Sequence, residues 1–136
     1  MLNVSARYDG NLRCTVTHDP SGATLVTDAP KDNHGKGEYF SPTDLVGAAL
    51  SSCALTIMAI AAKAHGVPME GVTATTQKEM SAAPPRRIAK LITRVVVPLP
   101  PDHPKRSVLE TAAKSCPVHK SLAAEIDAPI EFVWSG

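Results

Sequence analysis

The sequence predicts an α+β fold carried in a single domain over residues 1–136. Three patterns point to it. The first thirty or so residues break into short runs separated by turn signals. A charge-free apolar run over residues 45–62 follows, with a helix start signal before it and a stop signal after it. Further alternating runs then lead into an amphipathic helix and a last short strand.

Residues 3–8 read as the first strand, and Asp9-Gly10-Asn11 as a turn. Residues 12–18, with Cys14 among them, form the return strand. Asp19-Pro20-Ser21-Gly22 is a second turn, residues 23–27 a third short strand, and residues 30–38 a polar loop. Ser41 then suits an N-cap, Pro42 the first helical position, and Asp44 the positive end of the helix dipole. The helix is expected to run to His65, where Gly66 and Pro68 stop it. Its length is about 36 Å at about 1.5 Å per residue. Leu45, Val46, Leu50, Leu55, Ile57, Met58 and Ile60 occupy all its sides, and a helix apolar all round is buried all round. A chain of 136 residues struggles to bury such a helix alone, so a homodimer with two helices covering each other is expected.

Residues 70–80 and 87–97 read as paired strands joined by residues 81–85. Residues 98–104 are a stiff proline-rich loop. Residues 105–115 form an amphipathic helix with Val108, Leu109, Ala112 and Ala113 on one face, and Cys116 continues that stripe. Cys116-Pro117 restarts a helix to about Ile126, and residues 129–134 are the final strand.

Composition narrows the function classes. A net charge of +1 offers no field for a nucleic acid or a polyanion. The segment 45–62 is long enough to be weighed as a membrane span. It carries Ser51, Ser52, Cys53 and Thr56, is rich in alanine, and is bounded by Asp44 and Lys63, so a helix inside a soluble fold is expected and no membrane. Residues 1–8 show no basic start followed by an apolar run, so no secretory signal is expected. Three cysteines are too few for a disulfide scaffold, which fits a reducing cytoplasm.

Two cysteines stand out. Cys53 lies mid-way along the long helix, where packing as a small hydrophobe is the default reading. Cys116 precedes Pro117 at a helix start, where free N–H groups and the dipole stabilise a thiolate, with His119 three residues on able to face the same sulfur. Cys14 reads as a thiol without a role. A metal site is not expected, since there is no CxxC pair and Cys53 has no ligand-type neighbour. No phosphate-loop, dinucleotide or serine-hydrolase motif is present, and no cofactor is expected.

The segment Ser41-Pro42-Thr43-Asp44-Leu45, the run Gly47-Ala48-Ala49-Leu50-Ser51-Ser52-Cys53, and the later Cys116-Pro117-Val118-His119-Lys120-Ser121-Leu122 resemble the two cysteine motifs of the OsmC/Ohr family of osmotically inducible and organic hydroperoxide resistance proteins. The resemblance covers nearly the whole chain. It implies an OsmC-like fold, with antiparallel sheets wrapped around a long central helix in an intertwined homodimer. It implies thiol-dependent reduction of organic hydroperoxides without cofactor or metal. Cys53 matches the peroxidatic cysteine, oxidised to a sulfenic acid, and Cys116 matches the cysteine that condenses with it. A dithiol, such as a lipoylated protein, would then reduce the disulfide.

The chain departs from the family pattern at two places. Members of the family carry a Glu ten residues before the first cysteine and an Arg near the N-terminus, which together orient the thiolate. Thr43 occupies the Glu position here, with Asp44 beside it. Arg13 is the best candidate for the Arg and Arg7 the next, although aligning on the following strand puts Asn11 at that place. The expected site is thus Cys53 and Cys116, with Arg13 as the cation and Asp44 orienting it. The alternative is a catalytically weak or inactive family member, a dimer that senses redox state or binds a small ligand. The helix-start reading favours Cys116 as the low-pKa thiol, whereas the resemblance makes Cys53 the attacker.

Overall fold

The computed structural model describes all residues, Met1–Gly136. By backbone contacts the chain divides into two units, Met1–Val46 and Gly47–Gly136. In the first unit, strands β1 (Val4–Gly10), β2 (Arg13–His18) and β3 (Ala23–Asp28) form an antiparallel sheet in that order. Asn11 and Leu12 both take left-handed backbone conformations, at φ 55° and 61°. That is why β2 begins at Arg13 rather than at Leu12 as the sequence pattern suggests. Gly22 closes the second turn at φ 75°, donating its N–H to the His18 carbonyl at 2.8 Å. Beyond β3, a single 3-10 turn (Lys31–Asn33) leads into the polar loop. Gly35 is forced there by space, because a Cβ would fall 1.7 Å from the Ala29 carbonyl oxygen.

Strand register sorts this sheet into two faces. Val4, Ala6 and Tyr8 lie opposite His18, Val16 and Cys14, and these lie opposite Ala23, Leu25 and Thr27. The other face carries Arg7, Arg13, Thr15 and Asp28. Much of the apolar face is open within one chain: Val4 is 61% exposed and Tyr8 65%.

Helix α1 (Pro42–Ala64) starts as its sequence predicts. The Ser41 hydroxyl accepts the Asp44 N–H at 3.1 Å, and the Asp44 carboxylate accepts the Ser41 N–H at 2.8 Å. This reciprocal box satisfies two of the helix's first donors. His65 and Gly66 end it, with Gly66 at φ 67°.

The second unit holds most of α1 together with strands β4 (Thr73–Met80), β5 (Ile88–Val97) and β6 (Ile130–Trp134) and helices α2 (Arg106–Lys114) and α3 (Pro117–Ser121). β4 pairs antiparallel with β5, whereas β6 pairs with β5 in parallel. A parallel partner requires a crossover connection, and α2 and α3 supply it. The buried stripe of α1 is Gly47, Leu50, Ala54, Met58 and Ala62, at helical spacing. Ala54, Met58 and Ala62 form one cluster with Val67, Val95, Val97, Leu109, Ala113 and Trp134. Ser51 reaches Thr76 at 2.6 Å, and Thr76 reaches the fully buried Thr93 at 2.8 Å, so a chain of hydroxyls ties α1 to the sheet.

Two sequence expectations change, one on α2 and one on α3, and α1 shows the partial cover expected of one chain. α1 is long and apolar enough to cross a membrane by length and composition alone. Within one chain it is buried along a stripe and not all round: Ser52 and Thr56 are exposed, and Ile60 is 62% exposed. On α2, Leu109 and Ala113 are buried but Val108 faces outward at 41% exposure. α3 ends at Ser121, not near Ile126, because Leu122 takes an extended backbone (φ −71°, ψ 146°) and the chain then turns toward a bridge with β5 at Asp127. The Asp127 N–H bonds Ala89 at 3.0 Å and its carbonyl takes the Leu91 N–H at 2.9 Å. Extended pairing there is incompatible with a continuing helix.

Met58 is fully buried in the shared cluster, so Met58→Ala should lower unfolding free energy by about 2–5 kcal/mol in urea titration. A loss within about 0.5 kcal/mol, the range of ordinary surface substitutions, would show that this core is not as described.

Candidate functional site

Cys53 is half-buried on α1, one residue before Ala54 of the buried stripe. Cys116 is fully buried and extends the α2 stripe of Leu109 and Ala113 by three residues, as its spacing predicts. Pro117 opens α3, where its missing N–H removes nothing the helix needs. Cys116 caps that turn, its Sγ accepting the His119 backbone N–H at 3.4 Å. The two cysteines, 63 residues apart in sequence, are neighbours in the fold, with the Cys53 side chain close enough to help raise the Cys116 pKa.

Burial pushes the Cys116 thiol above its ordinary range. The His119 N–H opposes this by favouring the thiolate, and the neighbouring Cys53 reinforces it. The expectation that Cys116 is the low-pKa thiol is therefore overturned. Helix α3 has only 5 residues, so its dipole is that of little more than one turn. Loss of water around the sulfur outweighs it. The His119 ring also departs from expectation. Its Nε2 lies 2.8 Å from the Ala128 carbonyl oxygen, which can only accept, so Nε2 carries the proton and the ring anchors the loop before β6.

The charged candidates fall in the first unit. Arg13 extends from the polar face of β2, its Nη2 2.8 Å from Glu38 and 3.5 Å from Asp28. Its guanidinium lies 5.1 Å from the centre of the Tyr39 ring. Asp28 is 1% exposed and also accepts the Glu38 N–H at 3.1 Å, while its Oδ1 has no partner. Asp44 holds the start of α1, and Thr43 lies beside the same cap, its hydroxyl 3.2 Å from that of Ser41. Arg7 pairs with Asp9 at 2.7 Å on the surface. Glu38 and Asp28 are the residues that sequence reasoning missed. They lie 25 and 15 positions from Arg13, and only the pairing of β2 with β3 and the return of the loop reveals them. Cys14 is half-buried on β2, opposite Tyr8 and Thr27, and unbonded to another cysteine. No three His, Cys, Asp or Glu side chains are grouped so as to hold a metal ion.

A long apolar helix carrying one cysteine, met by a second cysteine at a helix start beyond the sheet, defines a two-thiol α+β protein. The family model of OsmC-like proteins matches residues 35–131, a span that includes both cysteines. A solved structure described as an osmotic stress induced and detoxification response protein from Psychrobacter arcticus is 36% identical. The two cover 97% and 96% of each other's chains with a TM-score of 0.90. An organic hydroperoxide resistance protein OsmC from Legionella pneumophila shares the fold at 17% identity, with a TM-score of 0.77 over 98% of this chain and 96% of that one. An OsmC-like protein from Mycoplasma pneumoniae does so at 16% identity, with a TM-score of 0.79 over 100% and 98%. No curated protein sequence matches. The chain belongs to the OsmC-like protein family.

The raised Cys116 pKa has a stability consequence. The folded state holds this proton more tightly than the unfolded chain does. The contribution is complete below the unfolded thiol range and is lost as pH rises through the higher folded value. The urea midpoint of the wild type should therefore fall more between about pH 8 and about pH 10 than that of Cys116→Ala. Equal slopes for the two proteins would contradict the assignment.

Proposed function

We propose that this protein is a thiol-dependent peroxidase that reduces organic hydroperoxides through a sulfenic acid and a disulfide, in a reducing cytoplasm. The observation that carries the reading is the meeting of Cys53 with a buried, protonated Cys116. A Cys53 thiolate attacks one oxygen of ROOH. The O–O bond breaks, Cys53 becomes a sulfenic acid, and the alkoxide leaves as ROH after taking a proton. Cys116 then attacks the Cys53 sulfur, an S–S bond forms, and water departs. A dithiol, such as that of a lipoylated protein, returns both cysteines to thiols. No cofactor or metal takes part. In this reading Arg13 is the cation of the site, and Cys116 is the thiol that waits beside Cys53. Asp44 serves by fixing the start of α1, and Glu38 and Asp28 hold Arg13.

The same proposal includes a homodimer. What supports it is the exposure of apolar side chains within one chain, Ile60 on α1 and Val4, Tyr8 and Leu25 on the first sheet. A second copy of the chain covers both.

A weaker enzyme, or a dimer that only senses redox state or binds a small ligand, is the second reading. Thr43, engaged with Ser41 where relatives carry an orienting Glu, favours it.

Single-turnover oxidation with cumene hydroperoxide separates the two. Cys53→Ser should consume no peroxide, whereas Cys116→Ser should consume one equivalent and halt as a trappable sulfenic acid on Cys53. Wild-type-rate trapping of Cys116 in Cys53→Ser would reverse the order of attack. Oxidation of neither thiol at stoichiometric peroxide would favour the second reading. For the dimer, sedimentation at micromolar concentration should give twice the chain mass, and Ile60→Asp should shift it toward the monomer. A folded wild-type monomer would rule the dimer out.

A further inference from the structure

We propose that the reduced Cys53–Cys116 pair is also a chelating site for monosubstituted trivalent arsenicals, R–As(OH)2. The pair meets without any other ligand. The absence of a grouped third His, Cys, Asp or Glu excludes the four-coordinate set that zinc demands. What remains is two sulfurs, which suits a soft centre that needs only two bonds from the protein.

Both sulfurs are held by rigid backbone. Cys53 is a mid-helix residue of α1, whose neighbours Ala54 and Met58 are fully buried. Cys116 is fixed between the end of α2 and Pro117, with its Sγ on the His119 N–H. A chelate therefore forms between groups already side by side, and little conformational freedom is lost on closing the ring.

The protonation of Cys116 chooses between kinds of soft ligand. A thiophilic cation binds thiolates, so it must first displace a proton that burial holds in place. An arsenical condenses with thiols directly. Each S–H gives its proton to an As–OH group, two As–O bonds break, two As–S bonds form, and two waters leave. Arsenic and sulfur keep their oxidation states, so no oxidant or reductant is required, and no net proton is released. The buried thiol that resists a metal cation is thus no obstacle to this chemistry. Cys14, opposite Tyr8 and Thr27, has no cysteine beside it and offers a single bond only. The inference rests on the pairing of the thiols and not on peroxidase activity, so it stands in either reading of the function.

The test uses the full-length reduced protein and one equivalent of phenylarsine oxide without oxygen, read by intact mass and by free-thiol titration. One adduct per chain should form, and the titratable thiols should fall from three cysteines to Cys14 alone. A small dithiol, 2,3-dimercaptopropanol, should strip the adduct, whereas a monothiol at equal concentration should not. Cys14→Ser should bind as the wild type does. Cys53→Ala and Cys116→Ala, each checked for folding by circular dichroism, should bind on the order of 100-fold more weakly, because the second bond is lost. Loss of the adduct in Cys14→Ser, wild-type affinity in folded Cys116→Ala, or no adduct on the reduced wild type would each overturn the inference. Peroxide consumption, assayed separately on the same preparation, reports the proposed enzyme activity independently.

Discussion

The buried stripe of α1 is the contact on which the second unit depends. Gly47, Leu50, Ala54, Met58 and Ala62 fix which side of the helix is covered. That choice sets Cys53, one position before Ala54, at the margin of the covered side, where a sulfur can meet a partner and still be reached. The same core takes Leu109 and Ala113 from α2, so the helix that delivers Cys116 is seated by the cluster that seats α1. Two cysteines far apart in sequence are therefore placed by one hydrophobic core. Burial of these side chains, each worth about 1.5–3 kcal/mol when large and fully covered, is the energy that holds the geometry.

At Cys116 two effects oppose one another. A helix start stabilises a nearby negative charge by about 0.3–1 kcal/mol, and less when the helix is a single turn. Removing the sulfur from water costs the thiolate more, and the balance leaves the proton on Cys116. The outcome suits a division of labour. A thiol kept protonated beside a partner sulfur can support charge on that partner and supply a proton as an alkoxide departs. In the proposed peroxidase cycle it would enter as a nucleophile only once Cys53 has been oxidised.

Much of this was legible in the sequence because it is local. Ser41, Pro42 and Asp44 announce the start of α1 within four residues, and the structure shows the cap they form. The α2 stripe through Cys116 follows from helical spacing, and both cysteine motifs carry the family resemblance. What was not legible is long-range. The turn of the chain from Leu122 to its bridge with β5 at Asp127 is set by the sheet, which no local signal in 117–126 reveals. Glu38 and Asp28 become partners of Arg13 only through strand register and loop return. The apolar composition of α1 indicates that one chain of this size cannot cover it all round, but not which face the chain covers. The sign of the Cys116 shift was missed for a related reason, since a helix start is visible in sequence and burial is not.

The most direct measurement of the central claim is disulfide mapping after one equivalent of an alkyl hydroperoxide. Protein reduced, treated and then alkylated at low pH should yield a single linked peptide pair joining Cys53 to Cys116, with Cys14 recovered alkylated. A link from Cys14 to either of the other two, or recovery of all three as free thiols, would contradict the account.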